Sequence, residues 1–298
     1  LFAQIQRLKE AGVGIVYVSH RLEEILTICD RVTVMRDGET IATHEARELT
    51  LDDIVAKMVG RQRGEMFAKE SVPIGEVRLA LEHVAGGGGE FKDITLDVRA
   101  GEIVGLYGFV GAGRSEVAQA LFGLSTIDAG TVTLDGQAYT PKSPRAAVNA
   151  GIAYLPEDRL VQAVFRTHPL RGNASVTVLK GLSKLGLVSS KQERELAARV
   201  IAEMSVRASS MEQPIGTLSG GNQQKVIFGR WQAAAPKVLI LDEPTRGVDV
   251  GAKAEIHKLI CALAAQRTYL SSANHPDWID IRARRGLPFE FAEGEPKD

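Results

Sequence analysis

The segment at residues 108–115 combines glycines, a basic side chain and a hydroxyl at a spacing suited to holding phosphate. It reads Gly-Phe-Val-Gly-Ala-Gly-Arg-Ser, follows an aliphatic run and opens a helical pattern. Glycines let backbone N–H groups turn inward around phosphate oxygens, and the start of the next helix adds partial positive charge. The Ser115 hydroxyl would hold Mg²⁺. The residues predicted to bind nucleotide here are Gly108, Phe109, Val110, Gly111, Ala112, Gly113, Arg114, Ser115 and Glu116.

One position departs from the usual phosphate-loop pattern, G-x4-G-K-[ST], because Arg114 stands where lysine is typical. Arginine keeps the positive charge, but its planar fork does not reproduce a compact ammonium between two phosphates. A glycine-rich turn that binds no nucleotide is therefore the alternative interpretation of this segment.

A second segment places two carboxylates at the end of a buried strand. Residues 238–241 are all aliphatic, and Asp242 and Glu243 follow directly. In an open α/β sheet, ligands bind at the carboxyl ends of the strands. We predict that Asp242 holds Mg²⁺ and that Glu243 is the general base acting on an attacking water. Alone, such a pair is often only the start of a solvated loop, but together with the phosphate loop it indicates nucleotide hydrolysis.

A third segment, residues 218–225, reads Leu-Ser-Gly-Gly-Asn-Gln-Gln-Lys. This sequence is typical of a helix N-terminus with free N–H groups. One domain needs a single such anion site for its own nucleotide, so we expect this one to serve a nucleotide held by a partner. A capping role alone would explain the serine but not the pair of glycines. The residues predicted to bind are Ser219, Gly220, Gly221 and Asn222.

The apolar patterns around these segments alternate between helices and strands. Helical spacing occurs at residues 1–10, 51–59, 191–204, 221–234 and 252–265, and short apolar runs indicate strands at 15–18, 77–83, 94–98, 102–107, 151–155 and 238–241. Asp-Gly pairs at 37–38 and 135–136 predict hairpin turns. The alternation predicts an α/β fold in which helices cover both faces of a mainly parallel sheet.

The composition excludes several classes of protein. The 298-residue chain has 36 Lys and Arg against 37 Asp and Glu, for a formal net charge of −1. This balance argues against a basic nucleic-acid-binding protein and against an acidic disordered chain. The two cysteines cannot form a disulfide framework. No apolar stretch in the sequence approaches the roughly 18 residues of a membrane span.

A weak internal repeat indicates a duplicated architecture. The apolar spacing at the start of the chain recurs near its end, in Leu1, Ile5 and Leu8 and in Ile256, Ile260 and Leu263. We expect 1–60 to be the end of a first domain, 61–76 a linker, 77–266 a second domain and 267–298 a divergent tail. Residues 267–272 look too short for a sheet strand, so the tail is expected to be disordered or the product of a frame change. With no initiator Met, the chain is interpreted as a fragment.

Together, the three segments resemble the nucleotide-binding domains of ATP-binding-cassette proteins. Residues 218–225, Trp231 and the run 239–253 are similar to the second cassette of the duplicated ATPase subunits of bacterial monosaccharide importers. That cassette typically has arginine at the position of Arg114. The resemblance extends from residue 1 to about 266. It implies a P-loop NTPase cassette with an antiparallel β subdomain and an α-helical subdomain beside the parallel sheet.

The resemblance also assigns roles that the local patterns leave open. Glu157 stands where most cassettes have a glutamine that contacts Mg²⁺, and His20 matches the histidine that contacts the γ-phosphate. By itself, a lone histidine such as His20 would more often be structural. An aromatic residue that stacks on adenine is expected near Ala85, where the sequence has none, and Phe91 is a nearby candidate.

The implied function is ATP hydrolysis that drives monosaccharide import, with the protein peripheral to the cytoplasmic face of the inner membrane. ATP and Mg²⁺ are the expected cofactors. The expected partners are a second cassette, membrane permease subunits that contact the loops at 156–175 and, indirectly, a periplasmic sugar-binding protein. No nucleic acid is expected as a partner.

Two other functions stay open at this point. The first cassette's phosphate loop and signature have no counterpart in the sequence, so we expect the chain alone to be weak or inactive as an ATPase. A non-catalytic nucleotide-binding regulatory module is the alternative. A cassette ATPase of DNA repair or translation is a weaker one, because residues 222–225 follow the sugar-importer pattern.

Overall fold

The computed structural model describes residues 1–19, 22–36, 38–59, 73–109, 111–248, 250–264, 268–272 and 285–288. The helices of these ranges are α1 Phe2–Glu10, α2 Leu22–Ile28, α3 Leu51–Val59, α4 Arg114–Leu121, α5 Pro144–Ala150, α6 Arg159–Gln162, α7 Leu170–Ser175, α8 Ser190–Glu203, α9 Gly220–Ala233 and α10 Val250–Ala264. The strands are β1 Arg31–Arg36, β2 Glu39–Glu45, β3 Val77–Gly86, β4 Phe91–Arg99, β5 Ile103–Tyr107, β6 Ile127–Leu134, β7 Gln137–Ala138, β8 Ile152–Leu155, β9 Ser183–Lys184, β10 Leu187–Val188, β11 Val238–Asp242, β12 Thr268–Ser272 and β13 Arg285–Pro288.

The chain divides into two compact units, Leu1–Ala68 with Val248–Lys258, and Lys69–Gly247 with Leu259–Asp298. The first contains helices α1–α3 and the antiparallel hairpin β1–β2. Strand β1 alternates between exposed and buried positions, so Val32 and Val34 share one face and are buried together with Ala46 and Ile54. The pairing of β1 with β2 confirms the predicted hairpin, although Asp37 of its turn lies outside the described residues, and the helices predicted at 1–10 and 51–59 are confirmed.

One strand predicted in the first unit does not form. Residues 15–18 are irregular, and Val16 and Val18 are more than nine-tenths exposed. A strand needs hydrogen bonds from a neighbouring strand, and none of the described residues pairs with this segment. The apolar residues of this run would suit a strand, but the run has no neighbouring strand among the described residues and stays irregular.

The second unit is built on a five-stranded sheet in the order β13-β5-β12-β11-β8, in which every described pair is parallel. Every residue of β11 is buried, as expected for a central strand of a parallel sheet with both faces covered. Helix α4 packs on β11, and α5 packs on β8. The predicted strands at 102–107, 151–155 and 238–241 are confirmed.

A four-stranded antiparallel sheet, β4-β3-β6-β7, and a group of helices, α7, α8 and α9, accompany the parallel sheet. The Asp135-Gly136 hairpin predicted from the sequence joins β6 to β7, and both of its residues have positive φ. The α/β fold class, with its antiparallel and helical parts, is confirmed. None of the described helices is long and apolar enough to cross a membrane.

The segment after residue 266 differs from its prediction. Residues 268–272 form β12 between β5 and β11, and 285–288 form β13 at the edge of the same sheet. A central strand receives hydrogen bonds from both neighbours, so five residues around the fully buried Leu270 suffice. The segment 156–175, expected to consist of loops, likewise contains α6 and α7. The linker at 61–76 lies largely outside the described residues, and the domain boundaries stay predictions.

Candidate functional site

The phosphate loop connects β5 to α4 and is shaped by two glycines with left-handed backbone. Gly111 has φ 86° and Gly113 has φ 85°, a region that is strained for residues with a side chain. A Cβ at Gly113 would also lie 3.1 Å from the carbonyl oxygen of Glu90 and 3.1 Å from Cβ of Phe91. Gly113 immediately precedes the first turn of α4, whose N–H groups form the predicted phosphate site.

The two predicted magnesium ligands meet at the carboxyl end of the sheet. Ser115 Oγ donates to Oδ1 of Asp242 at 3.1 Å, and the hydroxyl of Tyr154 donates to Oδ2 of the same carboxylate at 3.1 Å. Asp242 is only 1% exposed. Burial, and then the neighbouring charge of Asp242, raise the pKa of Tyr154 well above its ordinary value, so this phenol stays a donor.

The arginine of the phosphate loop pairs with the predicted general base. Nη1 of Arg114 lies 3.4 Å from Oε1 of Glu243, and both side chains are largely buried, at 6% and 15% exposure. Glu243 has φ 45°, an uncommon conformation for a residue other than glycine. Such outliers concentrate at functional sites, since surrounding contacts must hold them in place.

The start of α9 forms a second group of predicted residues. Ser219 occupies the N-cap position with extended backbone, but its side chain makes no capping hydrogen bond to the helix. Instead, Nδ2 of Asn222 donates to Ser219 Oγ at 2.9 Å, and Oδ1 of Asn222 accepts from the backbone N–H of Arg207 at 2.8 Å. Ser219 is thus at the helix N-terminus that the sequence predicts, with its hydroxyl bound by Asn222 and not by a backbone N–H. This leaves first-turn N–H groups available to an anion.

Glu157 and its neighbours contact the loop that follows Glu243. Oε1 of Glu157 accepts a hydrogen bond from Nη1 of Arg246 in an ion pair. The guanidinium of Arg159 donates from Nη1 to the carbonyl of Arg246 at 2.5 Å and from Nη2 to that of Gly247 at 2.9 Å. Burial lowers the pKa of Arg159.

The remaining predicted residues fall in different settings. Phe109 is 76% exposed, Gly111 is exposed, and Gly108, Ala112 and Glu116 are partly buried. His20 and Val110 lie outside the described residues. The adenine-stacking candidate is wrong, since Phe91 is only 3% exposed, with its ring against Gly86. Neither face of that ring is open to a base.

Sequence reasoning missed three residues that shape this site. Tyr154 donates to Asp242, the predicted magnesium ligand, and Arg159 and Arg246 hold the loop after Glu243. A tyrosine in an otherwise aliphatic buried strand is a signal that could have pointed to Tyr154. For the two arginines no local pattern is available, because their partners are 87 to 89 residues away in sequence.

Comparison with known families decides the assignment. The ABC transporter family matches residues 91–246, just over half of the chain and the part that holds the phosphate loop, the signature segment and the paired carboxylates. The chain belongs to the ABC transporter family. The resemblance seen in the sequence is thereby confirmed.

Its relatives include two curated bacterial proteins called Ribose import ATP-binding protein RbsA. That of Geobacillus kaustophilus is 47% identical over 89% of this chain and 54% of the relative. That of Halalkalibacterium halodurans is 42% identical over 97% of this chain and 58% of the relative. The chain spans about half the length of the curated relatives that it matches.

Solved structures show the same fold at lower sequence identity. A nucleotide-free ATP-binding cassette from an ABC transporter superposes with a TM-score of 0.59 at 21% identity, over 72% of this chain and 87% of that one. A bacterial Atm1-family ABC exporter with ATP bound gives a TM-score of 0.58 at 22% identity, over 76% of this chain and 39% of that one. These likenesses establish the cassette fold.

Proposed function

We propose that the chain is part of an ATP-binding and ATP-hydrolysing subunit that energises import of a monosaccharide through a membrane permease. The contact between Ser115 and Asp242 beside the Arg114–Glu243 pair carries this proposal. It places a hydroxyl, a buried carboxylate, a cation and a second carboxylate around the start of α4. The relatives named for ribose import support the choice of substrate class.

The oxygen atoms at this site fit Mg²⁺. Magnesium prefers oxygen ligands and is usually held by one or two carboxylates together with the phosphates of the substrate. The Ser115 hydroxyl and the Asp242 carboxylate supply such atoms, and Tyr154 orients the carboxylate. Among the described residues, no group of three or more His, Cys, Asp or Glu side chains is placed to hold a metal ion. When bound, Mg²⁺ would neutralise phosphate charge.

The protein's own groups then have distinct tasks. The N–H groups at the start of α4 bind phosphate oxygens, and Arg114 turns its guanidinium from Glu243 toward the bound phosphates. Released from this pair, Glu243 accepts a proton from the attacking water. Burial of these groups strengthens their interactions with the transferring phosphoryl charge.

The start of α9 is proposed to contact a second nucleotide. In the arrangement that the family resemblance implies, the N–H groups near Ser219, Gly220, Gly221 and Asn222 face the nucleotide of a second cassette. The proposed assembly therefore contains two cassettes, membrane permease subunits at the cytoplasmic face of the membrane and a periplasmic sugar-binding protein. His20 and Glu157 keep their proposed roles at the γ-phosphate and near Mg²⁺.

The test combines ATP binding with turnover. Calorimetric titration should show ATP binding that requires Mg²⁺ and is weakened by Asp242→Asn. Phosphate release, expected to be slow for this chain alone, should disappear in Glu243→Gln and be unchanged in Glu195→Gln, a control on the exposed side of α8. ATP binding that is indifferent to both Mg²⁺ and Asp242→Asn, or turnover that survives Glu243→Gln, contradicts the proposal. Tight binding with no turnover in any variant would favour the regulatory module instead.

A further inference from the structure

We propose that Arg159 is a positioning residue that joins the loop after Glu243 to the start of the signature helix α9. The inference rests on the proposed function, because it concerns how one cassette fixes the positions of two parts that would each face a nucleotide. These parts are the loop after Glu243 and the start of α9. No local sequence pattern predicts it.

The guanidinium of Arg159 donates two hydrogen bonds to the backbone of the loop. Nη1 donates to the carbonyl oxygen of Arg246 at 2.5 Å, and Nη2 donates to that of Gly247 at 2.9 Å. Two donors in a rigid planar fork define the orientation of two successive peptide groups, which a lysine with a single ammonium does not reproduce.

The same guanidinium lies against the first residue of α9. A Cβ at Gly220 would be 2.5 Å from Nη2 of Arg159 and 2.9 Å from the carbonyl oxygen of Gly247. Gly220 thus has no room for a side chain, because the loop and the arginine that holds it fill that space. Two requirements therefore favour glycine at position 220: close packing against Arg159 and, in the proposed function, close approach of its backbone to a phosphate.

Arg159 is itself anchored near the sheet. It begins α6, whose N-cap Asp158 accepts hydrogen bonds from the N–H groups of Leu160 and Val161 at 3.0 and 3.2 Å. The preceding residue, Glu157, pairs with the side chain of Arg246. One short segment therefore holds both the backbone and a side chain of the loop that begins at Glu243.

This arrangement has a functional consequence. In the proposed assembly, Asp242 and Glu243 act on one ATP, whereas the start of α9 faces another. Among the described residues, the hydrogen bonds of the Arg159 guanidinium go to Arg246 and Gly247, and none goes to the phosphate loop or to the predicted metal ligands. Its loss should therefore reduce the rate of hydrolysis while leaving ATP affinity of the phosphate loop unchanged.

Hydrogen exchange of the intact chain tests the link directly. Arg159→Ala should raise amide exchange about tenfold both in 243–247 and in 223–226, the first hydrogen-bonded amides of α9, since both segments lose the same support. Compared with Arg159→Ala, Arg159→Lys should restore part of the protection in one of the two segments. Arg199 is an exposed arginine on α8, and Arg199→Ala should change the exchange of neither segment. In Arg159→Ala, faster exchange confined to 158–163, or to only one of the two segments, would overturn the inference.

Two further measurements cover the case in which Arg159→Ala unfolds. Gly220→Ala in the otherwise native chain should produce the same paired rise in exchange, because the added methyl displaces the guanidinium; an unchanged pattern contradicts the link. In steady-state assays, Arg159→Lys should lower kcat several-fold and leave the KM for ATP unchanged. This is roughly the effect expected from weakening one interaction that couples the loop after Glu243 to the start of α9. A native chain that binds no ATP would refute the proposed function, while the exchange data would still decide on the role of Arg159.

Discussion

Arg114 and Glu243 face each other at 3.4 Å, although 129 residues separate them in the sequence. The cation that would meet the nucleotide phosphates is thus held by the carboxylate that would activate water. Both groups are largely removed from solvent, so separating them without a replacement charge is costly. A bound triphosphate supplies that replacement for Arg114. In the proposed function, nucleotide binding would therefore release the general base.

Glu243→Gln should tighten ATP binding as well as abolish turnover. The neutral amide keeps the shape of the side chain but no longer competes with phosphate for the guanidinium. We expect the dissociation constant for Mg·ATP to fall at least about tenfold, because a largely buried charge pair no longer has to be separated when the nucleotide binds. Calorimetry checks this, and weaker binding in Glu243→Gln would show that the pair does not oppose the nucleotide.

Arg114→Ala and Arg114→Lys should distinguish what the positive charge of Arg114 contributes to ATP binding from what the shape of its guanidinium contributes. Removing the cation should weaken ATP binding at least about tenfold, the effect of losing a charge-assisted hydrogen bond. Lysine keeps the charge, cannot form the same fork and suits the usual loop pattern. We expect Arg114→Lys to bind ATP at least as well as the native chain and to raise phosphate release. Equal loss of affinity in both variants would mean that the guanidinium shape is required.

Gly113→Ala and Gly111→Ala form a matched pair for the phosphate loop. Both residues have φ near +85°, so an alanine at either costs about 1 kcal/mol of backbone strain. Only at Gly113 would the new Cβ also press on Glu90 and Phe91, because nothing lies within 4 Å of a Cβ at Gly111. Thermal unfolding should show the larger loss for Gly113→Ala. Equal losses would indicate that strain alone determines the stability of this loop.

Tyr154→Phe should change the magnesium requirement. The substitution removes the donor to Oδ2 of Asp242 and costs about 1 kcal/mol at neutral pH. A less well-oriented carboxylate should need more Mg²⁺ for half-maximal ATP binding. Tyr139→Phe is the control, since its hydroxyl donates to the carbonyl of Leu121 at 2.7 Å. A similar magnesium shift in both variants would contradict a specific role of Tyr154.

Stability above about pH 10 should depend on the same two tyrosines. Burial raises the pKa of Tyr139 and of Tyr154 above the ordinary value. Above about pH 10 the unfolded chain loses these protons while the folded chain keeps them, so stability falls as the pH rises. Urea unfolding of either Phe variant should show a shallower alkaline decline than the native chain. An unchanged slope would mean that both phenols ionise in the folded state.

The motifs of the site were predictable because their chemistry is local. The phosphate loop, the paired carboxylates after β11 and the signature segment are short strings whose glycines, hydroxyls and charges have a meaning at fixed spacing. Their flanking aliphatic runs also predicted β5 and β11. The contact of Ser115 with Asp242 followed from the rule that strand ends meet at one edge of a parallel sheet.

Other features depend on contacts that no local pattern encodes. The apolar run at 15–18 predicted a strand, but strand formation requires a neighbour. The sequence offers Phe91 as a stacking candidate, yet its ring lies against Gly86 and the side chain is buried. The fork of Arg159 and the buried guanidinium of Arg230, which donates to the carbonyl of Ala163 at 2.8 Å, both bind backbone oxygens. Any residue provides such acceptors, so the sequence does not reveal them.

The position of β12 has a consequence for the order in which the site can be made. This strand lies between β5 and β11, the strands that lead to the phosphate loop and to Asp242, yet it is synthesised after both. A chain emerging from the ribosome therefore carries both halves of the nucleotide site before it has the strand that sets their spacing. We expect residues 103–242 to remain unable to capture ATP during synthesis, until 268–272 emerges and closes the sheet.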